Sequence, residues 1–342
     1  MTVSVATVPL DTHHFLRQRK PFWNVAAMAY TLAGYTGGIA LLLATNLGLN
    51  ALGVLVLTHS LVLSAYLAHE FMHGTIFQQR LWNAVGGNVV LWLNGGCYCN
   101  FDELSRLHIA HHVDRVDFCR FDLPAFLNAM PALLRKVVLG LEWLYIPALA
   151  FLVRWRMMTA PFWHPERRDA RLRAAFMLIV RGSLFALLGY YSLKALALYG
   201  LAYMGMLTVL RFVDAFQHTY EVFPIGTPLP KRDRAHEQAN TFSNLVSQRY
   251  PWLNLLLLNF GYHNAHHELM KCPWYSLPEL DSALFKDQDT HYMPLSRLLG
   301  NYHRFRVSRI FSGQGTAVNA EGKQTLETFY GGIEVSFLVL PF

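Results

Sequence analysis

Histidine is the residue whose pattern points most directly to chemistry in this chain. Eight of the sixteen histidines form three clusters: His69-x-x-x-His73, His108-x-x-His111-His112 and His263-x-x-His266-His267. On a helix, residues three or four apart share a face, so histidines at that spacing can approach one metal ion. The adjacent histidines of the second and third clusters diverge by about 100°, so one helix end can serve two metals.

His218 is a ninth candidate ligand, and it lies between the second and third clusters. A single zinc ion takes only three or four protein ligands, so nine imidazoles predict a dinuclear site. Imidazole binds iron, copper, zinc and nickel, which leaves the identity of the metal open at this point. The four cysteines match no zinc, haem or iron–sulfur pattern. Electrons for a redox reaction must therefore come from a separate protein.

The composition indicates that a membrane positions these histidines. Of the 342 residues, 53% are hydrophobic and 15% are charged, whereas soluble domains carry about 25% charged residues. Four apolar stretches approach the roughly 20 residues that a bilayer requires. These predicted spans are about 23–45, 49–68, 174–192 and 196–217. The turns within each pair carry little charge, which predicts two helical hairpins with both turns outside.

Basic residues set the predicted orientation. The loop from Arg154 to Arg173 is rich in arginine and is expected in the cytoplasm, by the bias of positive loops towards that side. The shorter apolar stretches 81–98, 133–153 and 251–260 are then predicted to be interfacial, re-entrant or buried in protein. All three histidine clusters and both termini are then predicted to lie on the cytoplasmic side, near the membrane surface.

The net charge of +7 is spread among the apolar segments. Positive loops beside membrane spans account for it better than nucleic-acid binding does. No linker or repeat divides the chain. We predict a cytoplasmic N-terminal segment over 1–22, one membrane domain over 23–310 and a C-terminal tail over 311–342.

The three clusters resemble the histidine boxes of the membrane fatty acid desaturase and hydroxylase superfamily. The sequence from His267 to Pro278 is also similar to the segment that follows the third box, and the resemblance runs from about residue 20 to residue 290. It implies an all-α integral membrane fold with four transmembrane helices under a cytoplasmic helical cap. It also implies two iron ions held by histidines, O2 as co-substrate, and an electron donor such as ferredoxin with its reductase.

The resemblance assigns roles to two further residues. His218 is similar to an additional ligand that precedes the third box. Some members have an asparagine four residues earlier that contacts iron through water, and Asp214 occupies that place here. Asp214 is therefore a candidate catalytic residue, with pairing to a local cation such as Arg211 as the alternative.

The implied reaction is O2-dependent oxidation of the alkyl chain of a fatty acid or fatty acyl substrate, with desaturation as the leading expectation. Oxidative decarboxylation of free fatty acids to 1-alkenes, and hydroxylation or ketolation of a lipid, remain alternatives. A membrane zinc hydrolase is an alternative of a different class. A metal transporter or sensor is a third, although the spans carry little polar besides His59 and Arg181. The expected location is the bacterial inner membrane.

Overall fold

The computed structural model describes residues 13–17, 20–119, 122–285, 292–318, 325–333 and 338. Regular structure within these residues is almost entirely helical. The α-helices, in chain order, are α1 (His13–Arg17), α2 (Pro21–Leu43), α3 (Leu47–His73), α4 (Arg80–Asn94), α5 (Phe101–Asp114), α6 (Leu123–Ala129), α7 (Ala132–Trp143), α8 (Ala148–Trp163), α9 (Arg171–Tyr191), α10 (Leu193–Asp214), α11 (Arg234–Ala239), α12 (His263–Glu268), α13 (Leu277–Phe285), α14 (Leu295–Arg304) and α15 (Arg309–Ser312).

Short irregular elements complete the fold. The 3-10 helices span Gly96–Tyr98, Pro165–Ala170, Pro251–Leu257 and Trp274–Ser276. Two strands, β1 (Asp117–Cys119) and β2 (Val222–Pro224), pair in parallel, with Phe118 opposite Phe223. This small sheet departs from the all-α expectation. It ties the segment after α5, the helix that carries the second histidine cluster, to the segment after α10, which carries His218.

Four helical segments are long and apolar enough to cross a membrane: Pro21–Leu43, Leu47–His73, Pro165–Tyr191 and Leu193–Asp214. The prediction of four spans is therefore confirmed, with shifted ends. Helix α3 continues five residues beyond the predicted end at 68, so the first histidine cluster lies on the spanning helix itself. Helix α10 stops at Asp214, before the predicted end at 217.

Small residues allow the long helices to approach closely. Helix α2 packs on α3, α3 packs on α10, and α10 packs on α9. A Cβ added at Gly38 of α2 would lie 2.9 Å from the Cβ of Leu57, and one at Gly205 of α10 would lie 3.0 Å from Thr58. Small residues are favoured at membrane helix interfaces because packing there depends on close backbone approach.

The three shorter apolar stretches behave differently from the spans. Helix α4 exposes Leu81, Val85 and Val89, a stripe at helical spacing that suits a membrane interface. Helices α7 and α8 meet at an angle of 116°, as a broken span or a re-entrant loop. The stretch 251–257 is a 3-10 helix that exposes Trp252. The predicted segment 133–153 is thus two helices, because the chain turns at 144–147.

The predicted terminal segments are described only in part. Residues 1–12 and 18–19, including Arg19, and parts of the tail lie outside the described residues. Within the tail, Phe329 is fully buried against Phe216, and the side-chain nitrogen of Gln314 donates to the Tyr220 carbonyl at 2.6 Å. These parts of the tail therefore pack beside the segment that carries His218. The boundary at residue 310 stays a prediction.

Candidate metal centre

The last turn of α3 supplies the first two candidate ligands. His69 and His73 are both buried, and their Nε2 atoms lie 3.2 Å apart. The helix ends at His73 because Gly74 adopts the left-handed conformation, with φ of 69°, which glycine tolerates without steric cost. The long apolar helix thus presents both imidazoles at the end of the bundle.

Helix α5 supplies the second cluster. It starts at an Asn100 cap, whose side chain accepts from the backbone N–H of Asp102, and it carries His108, His111 and His112 in its last two turns. The Nε2 atom of His108 lies 2.9 Å from that of His73. The second cluster therefore faces the first.

The third cluster lies on the short helix α12. Leu258 and Asn259 have positive φ angles and reverse the chain just before it. Gly261 then passes so close to the Asn244 carbonyl that an added Cβ would lie 2.5 Å from its oxygen. Glycine is therefore required at position 261, just before α12, because any side chain there would clash with this carbonyl.

His218 lies in the loop after α10, four residues beyond the helix end. It forms an isolated antiparallel bridge with Thr241. Its Nε2 atom is 2.8 Å from that of His263 and 3.3 Å from that of His111. A loop residue far from all three clusters in sequence thus joins the second cluster to the third.

The nine histidines separate into two adjacent groups. The five-histidine group consists of His69, His73, His108, His112 and His266. The three-histidine group consists of His111, His218 and His267, and His263 contacts it through His218. The adjacent pairs His111–His112 and His266–His267 are each divided between the two groups, as their divergence on a helix predicts.

The spacing of the nitrogens fits bound metal. Two nitrogens each about 2.1 Å from one metal lie about 3.0 Å apart at right angles and about 3.4 Å apart in a tetrahedron. The Nε2 pairs His73–His69, His112–His108 and His266–His112 are separated by 3.2, 3.3 and 3.2 Å. Both groups are therefore arranged so that they could hold a metal ion.

Burial keeps these imidazoles in the form that binds metal. It lowers the pKa of His108, His112, His218, His263 and His267 well below the ordinary value, and neighbouring histidines add to the effect. The same burial lowers the pKa of His266 to about 3. The rings are therefore neutral near pH 7, as a metal ligand must be.

Polar side chains behind the three-histidine group fix its rings. His267 Nδ1 lies 3.1 Å from the Glu237 carboxylate. His111 Nδ1 hydrogen-bonds to the Val116 carbonyl at 3.0 Å and also lies 3.0 Å from the Asp117 carboxylate. His218 Nδ1 lies 3.3 Å from the Thr241 hydroxyl. A carboxylate that accepts from the outer N–H of an imidazole fixes the tautomer and makes the inner nitrogen a better ligand.

No sequence pattern identified Glu237 or Thr241, since neither has a fixed spacing from a histidine cluster. Asp117 follows His112 by only five residues, so its position next to the second cluster was the one available signal. Glu237 is held in place by Arg115, whose Nε donates to it at 2.9 Å.

Asp214 lies at the end of α10 and is buried. Arg211 does not pair with it, because Arg211 donates to both oxygens of Glu142 at 3.1 and 3.0 Å. The Oδ1 atom of Asp214 has no hydrogen-bond partner within the part of the chain that the structure describes. Asp214 precedes His218 by four residues along the chain, and it belongs to neither histidine group.

A family model described as fatty acid desaturase matches residues 45–298. The chain belongs to the fatty acid desaturase family. The match spans all three histidine clusters and His218, so the family predicted from the histidine boxes is confirmed. No curated protein matches the chain. Membership of the fatty acid desaturase family implies a membrane oxidoreductase that acts on fatty acyl chains.

Proposed function

We propose that this desaturase-family protein carries out O2-dependent oxidation of the alkyl chain of a fatty acid or fatty acyl substrate at a di-iron centre, with desaturation as the reaction. The observation that supports this most is the division of nine histidines into two adjacent groups at the end of four apolar helices. Each group has at least three imidazoles, so two metals have enough ligands without any other residue type.

The residues present suit iron. All nine candidate ligands are imidazoles, which bind iron well, and burial lowers the pKa of His108, His112, His218, His263, His266 and His267. Bound iron would supply the oxidising power, with O2, that an unactivated methylene requires, since such a carbon has no acidic proton and no leaving group. The protein holds the metals in place through the nine histidines and through Glu237, Asp117 and Thr241 behind them.

We place the centre on the cytoplasmic side of the inner membrane. Helices α2 and α3 would form one hairpin and α9 and α10 the other, with the histidine-bearing segments as a cap. The arginine-rich region that ends α8 and begins α9 supports this orientation, because positive loops favour the cytoplasm. The end of α3 at His73 and the end of α10 at Asp214, which leads to His218, then lie on that side.

Asp214 is proposed to act at the floor of the centre. It is buried one turn before His218, with one carboxylate oxygen unpartnered among the described residues. A carboxylate in such a position can hold a proton or a water molecule close to the metals without being a ligand itself. This role differs from that of Glu237 and Asp117, which contact imidazoles directly.

The electron donor is proposed to be a separate redox protein such as ferredoxin with its reductase. Several arginines near the start of α9 are used internally: Arg167 pairs with Glu103, and Arg173 donates to the carbonyls of Cys97 and Cys99. A donor therefore has fewer free cations in this region than the sequence suggests.

The test is to express the protein in a bacterium, to supply saturated fatty acids under air or argon, and to analyse lipids and headspace by gas chromatography. An internal double bond that requires O2 is the expected product. His108→Ala should abolish it, because His108 contacts both His73 and His112. His14→Ala is the matched control, since that side chain lies on the surface.

The products and the metal content distinguish the alternatives. A terminal alkene with one carbon fewer would identify the reaction as decarboxylation. An added oxygen would identify it as hydroxylation or ketolation. Purified protein should contain two irons per chain. Zinc in their place, with activity that does not depend on O2, would contradict the proposal and favour a membrane hydrolase.

A further inference from the structure

A cavity of about 760 Å³ lies between α8, α9 and α10, and its lining is mostly apolar. Its volume falls within the roughly 300–1,000 Å³ of small-molecule sites. Phe151, Leu152 and Phe185 are among the apolar side chains that line it, and two arginines, Arg154 and Arg181, line it as well. An apolar cavity with two guanidinium groups suits a molecule that has an alkyl chain and an anionic group.

Arg154 is a charged residue of this lining with unpartnered nitrogens. It is 7% exposed, and its Nε and Nη1 atoms are buried with no hydrogen-bond acceptor in the described part of the chain. Its guanidinium lies 6.0 Å from the centre of the Tyr203 ring. Arg181, the other arginine of the lining, donates to the Trp92 carbonyl.

An unpaired buried guanidinium is costly, and such groups are normally paired. Ionisable groups within membrane proteins are also rare unless they serve a function. No aspartate or glutamate is found among the described residues that line the cavity. The missing partner of Arg154 is therefore an anion that this part of the protein does not supply.

The charge of the head group restricts which ligand fits the cavity. A thioester has no charge on its carbonyl, so it offers no anion to Arg154. A free carboxylate on an alkyl chain is a small anion, and it matches the planar guanidinium through paired hydrogen bonds.

We propose that this cavity binds a free fatty acid, with its carboxylate on Arg154 and its alkyl chain against the apolar lining. The inference rests on the proposed function, because it makes the free acid the form of the substrate that the protein takes up. It adds a head-group site apart from the metal centre.

The test measures equilibrium binding of radiolabelled hexadecanoic acid and of its methyl ester to the purified, iron-loaded protein in detergent. The acid should bind about tenfold or more tightly than the ester, because hydrogen bonds to a charged group contribute that much. Arg154→Gln should bind acid and ester equally. Arg156→Gln is the matched control, because Arg156 lies over Phe126 and Trp163 on another face of α8. It should keep the preference for the acid.

Two results would overturn the proposal. One is equal binding of acid and ester by the unmodified protein, which needs no variant and so does not depend on how Arg154→Gln folds. The other is displacement of the acid by phosphatidylglycerol but not by phosphatidylcholine, which would assign the site to a phospholipid head group.

The binding measurement requires no turnover, so the two proposals fail separately. Carboxylate-dependent binding without any O2-dependent product would leave the site in place and reject the proposed function. O2-dependent products together with equal binding of acid and ester would reject the site alone.

Discussion

The two histidine groups differ in what lies behind their rings. In the five-histidine group, the outer Nδ1 atoms of His73, His112 and His266 have no hydrogen-bond partner among the residues that the structure describes, and that of His69 lies 3.5 Å from the Glu70 carboxylate. In the three-histidine group, each outer nitrogen lies near a carboxylate or a hydroxyl. The five-histidine group therefore has more ligands, whereas the three-histidine group has fewer ligands whose rings are oriented by polar neighbours.

Two metals bound at this centre, as proposed, would be held by two different means. Each additional imidazole strengthens a site directly, whereas a carboxylate behind an imidazole strengthens it by fixing the ring and raising its basicity. If the comparison is correct, the two groups should respond differently to loss of a ligand and to loss of an outer partner.

The largest effect is expected from adjacent ligands on α12. His267→Ala should remove one metal per chain and reduce oxidation to background, because it leaves the three-histidine group with two members and His263. His266→Ala leaves four imidazoles, so part of that metal should remain, with lower activity. Metal analysis and product yield check both variants. Equal metal loss in the two variants would contradict the unequal grouping.

Asp214→Asn tests a carboxylate that belongs to neither histidine group, unlike Glu237 and Asp117, which contact imidazoles. Oxidation should fall about 100-fold, a typical effect of losing a group that transfers protons, while both metals stay bound. Product yield and metal content are measured on the same preparation. Loss of metal in parallel with activity would instead make Asp214 part of the metal-holding shell.

Glu237→Gln tests the polar shell directly. The variant should weaken metal binding in the three-histidine group by about 10- to 100-fold, as is typical of such outer partners, and leave the other group unchanged. Chelator titration followed by metal analysis measures this. Glu268→Gln is the control, because Glu268 pairs with Arg234 near the surface. A similar loss in the control would show a general effect of charge.

The smallest effect is expected from Thr241→Val, which keeps the shape of the side chain and removes its hydroxyl. The contact to His218 is neutral and long, at 3.3 Å, so metal binding should weaken only about fivefold, the value of one ordinary hydrogen bond. The same chelator titration applies. A change as large as that of Glu237→Gln would mean that the charge of the carboxylate does not matter.

Much of the site could be predicted because its spacing is local. Histidines three or four residues apart share a helix face whatever the rest of the fold does, so the divergence of the adjacent histidines within a cluster follows from helix geometry. The four spans are similarly local, since a run of apolar residues identifies them. Their ends were less certain, as the extra turn of α3 up to His73 shows.

Contacts between distant segments could not be predicted in the same way. Glu237 lies 30 residues before His267, and nothing in its neighbourhood marks it as the partner of that ring. The pairing of Arg211 with Glu142 spans 69 residues. It decides that Asp214 does not pair with the cation three residues away. The lack of a partner for Arg154 is also invisible until its surroundings are known.

The sequence by itself determined the family and the apolar segments that could span a membrane, and it predicted the ligand type and the number of ligands, because each depends on residue identity and short spacing along one helix. The tertiary structure alone decided which histidines form each group, which carboxylates stand behind them and that Arg154 has no acceptor for two of its nitrogens among the described residues. The physical reason is that hydrogen bonds and ion pairs depend on distances of about 3 Å. Only the packing of remote segments brings groups that close.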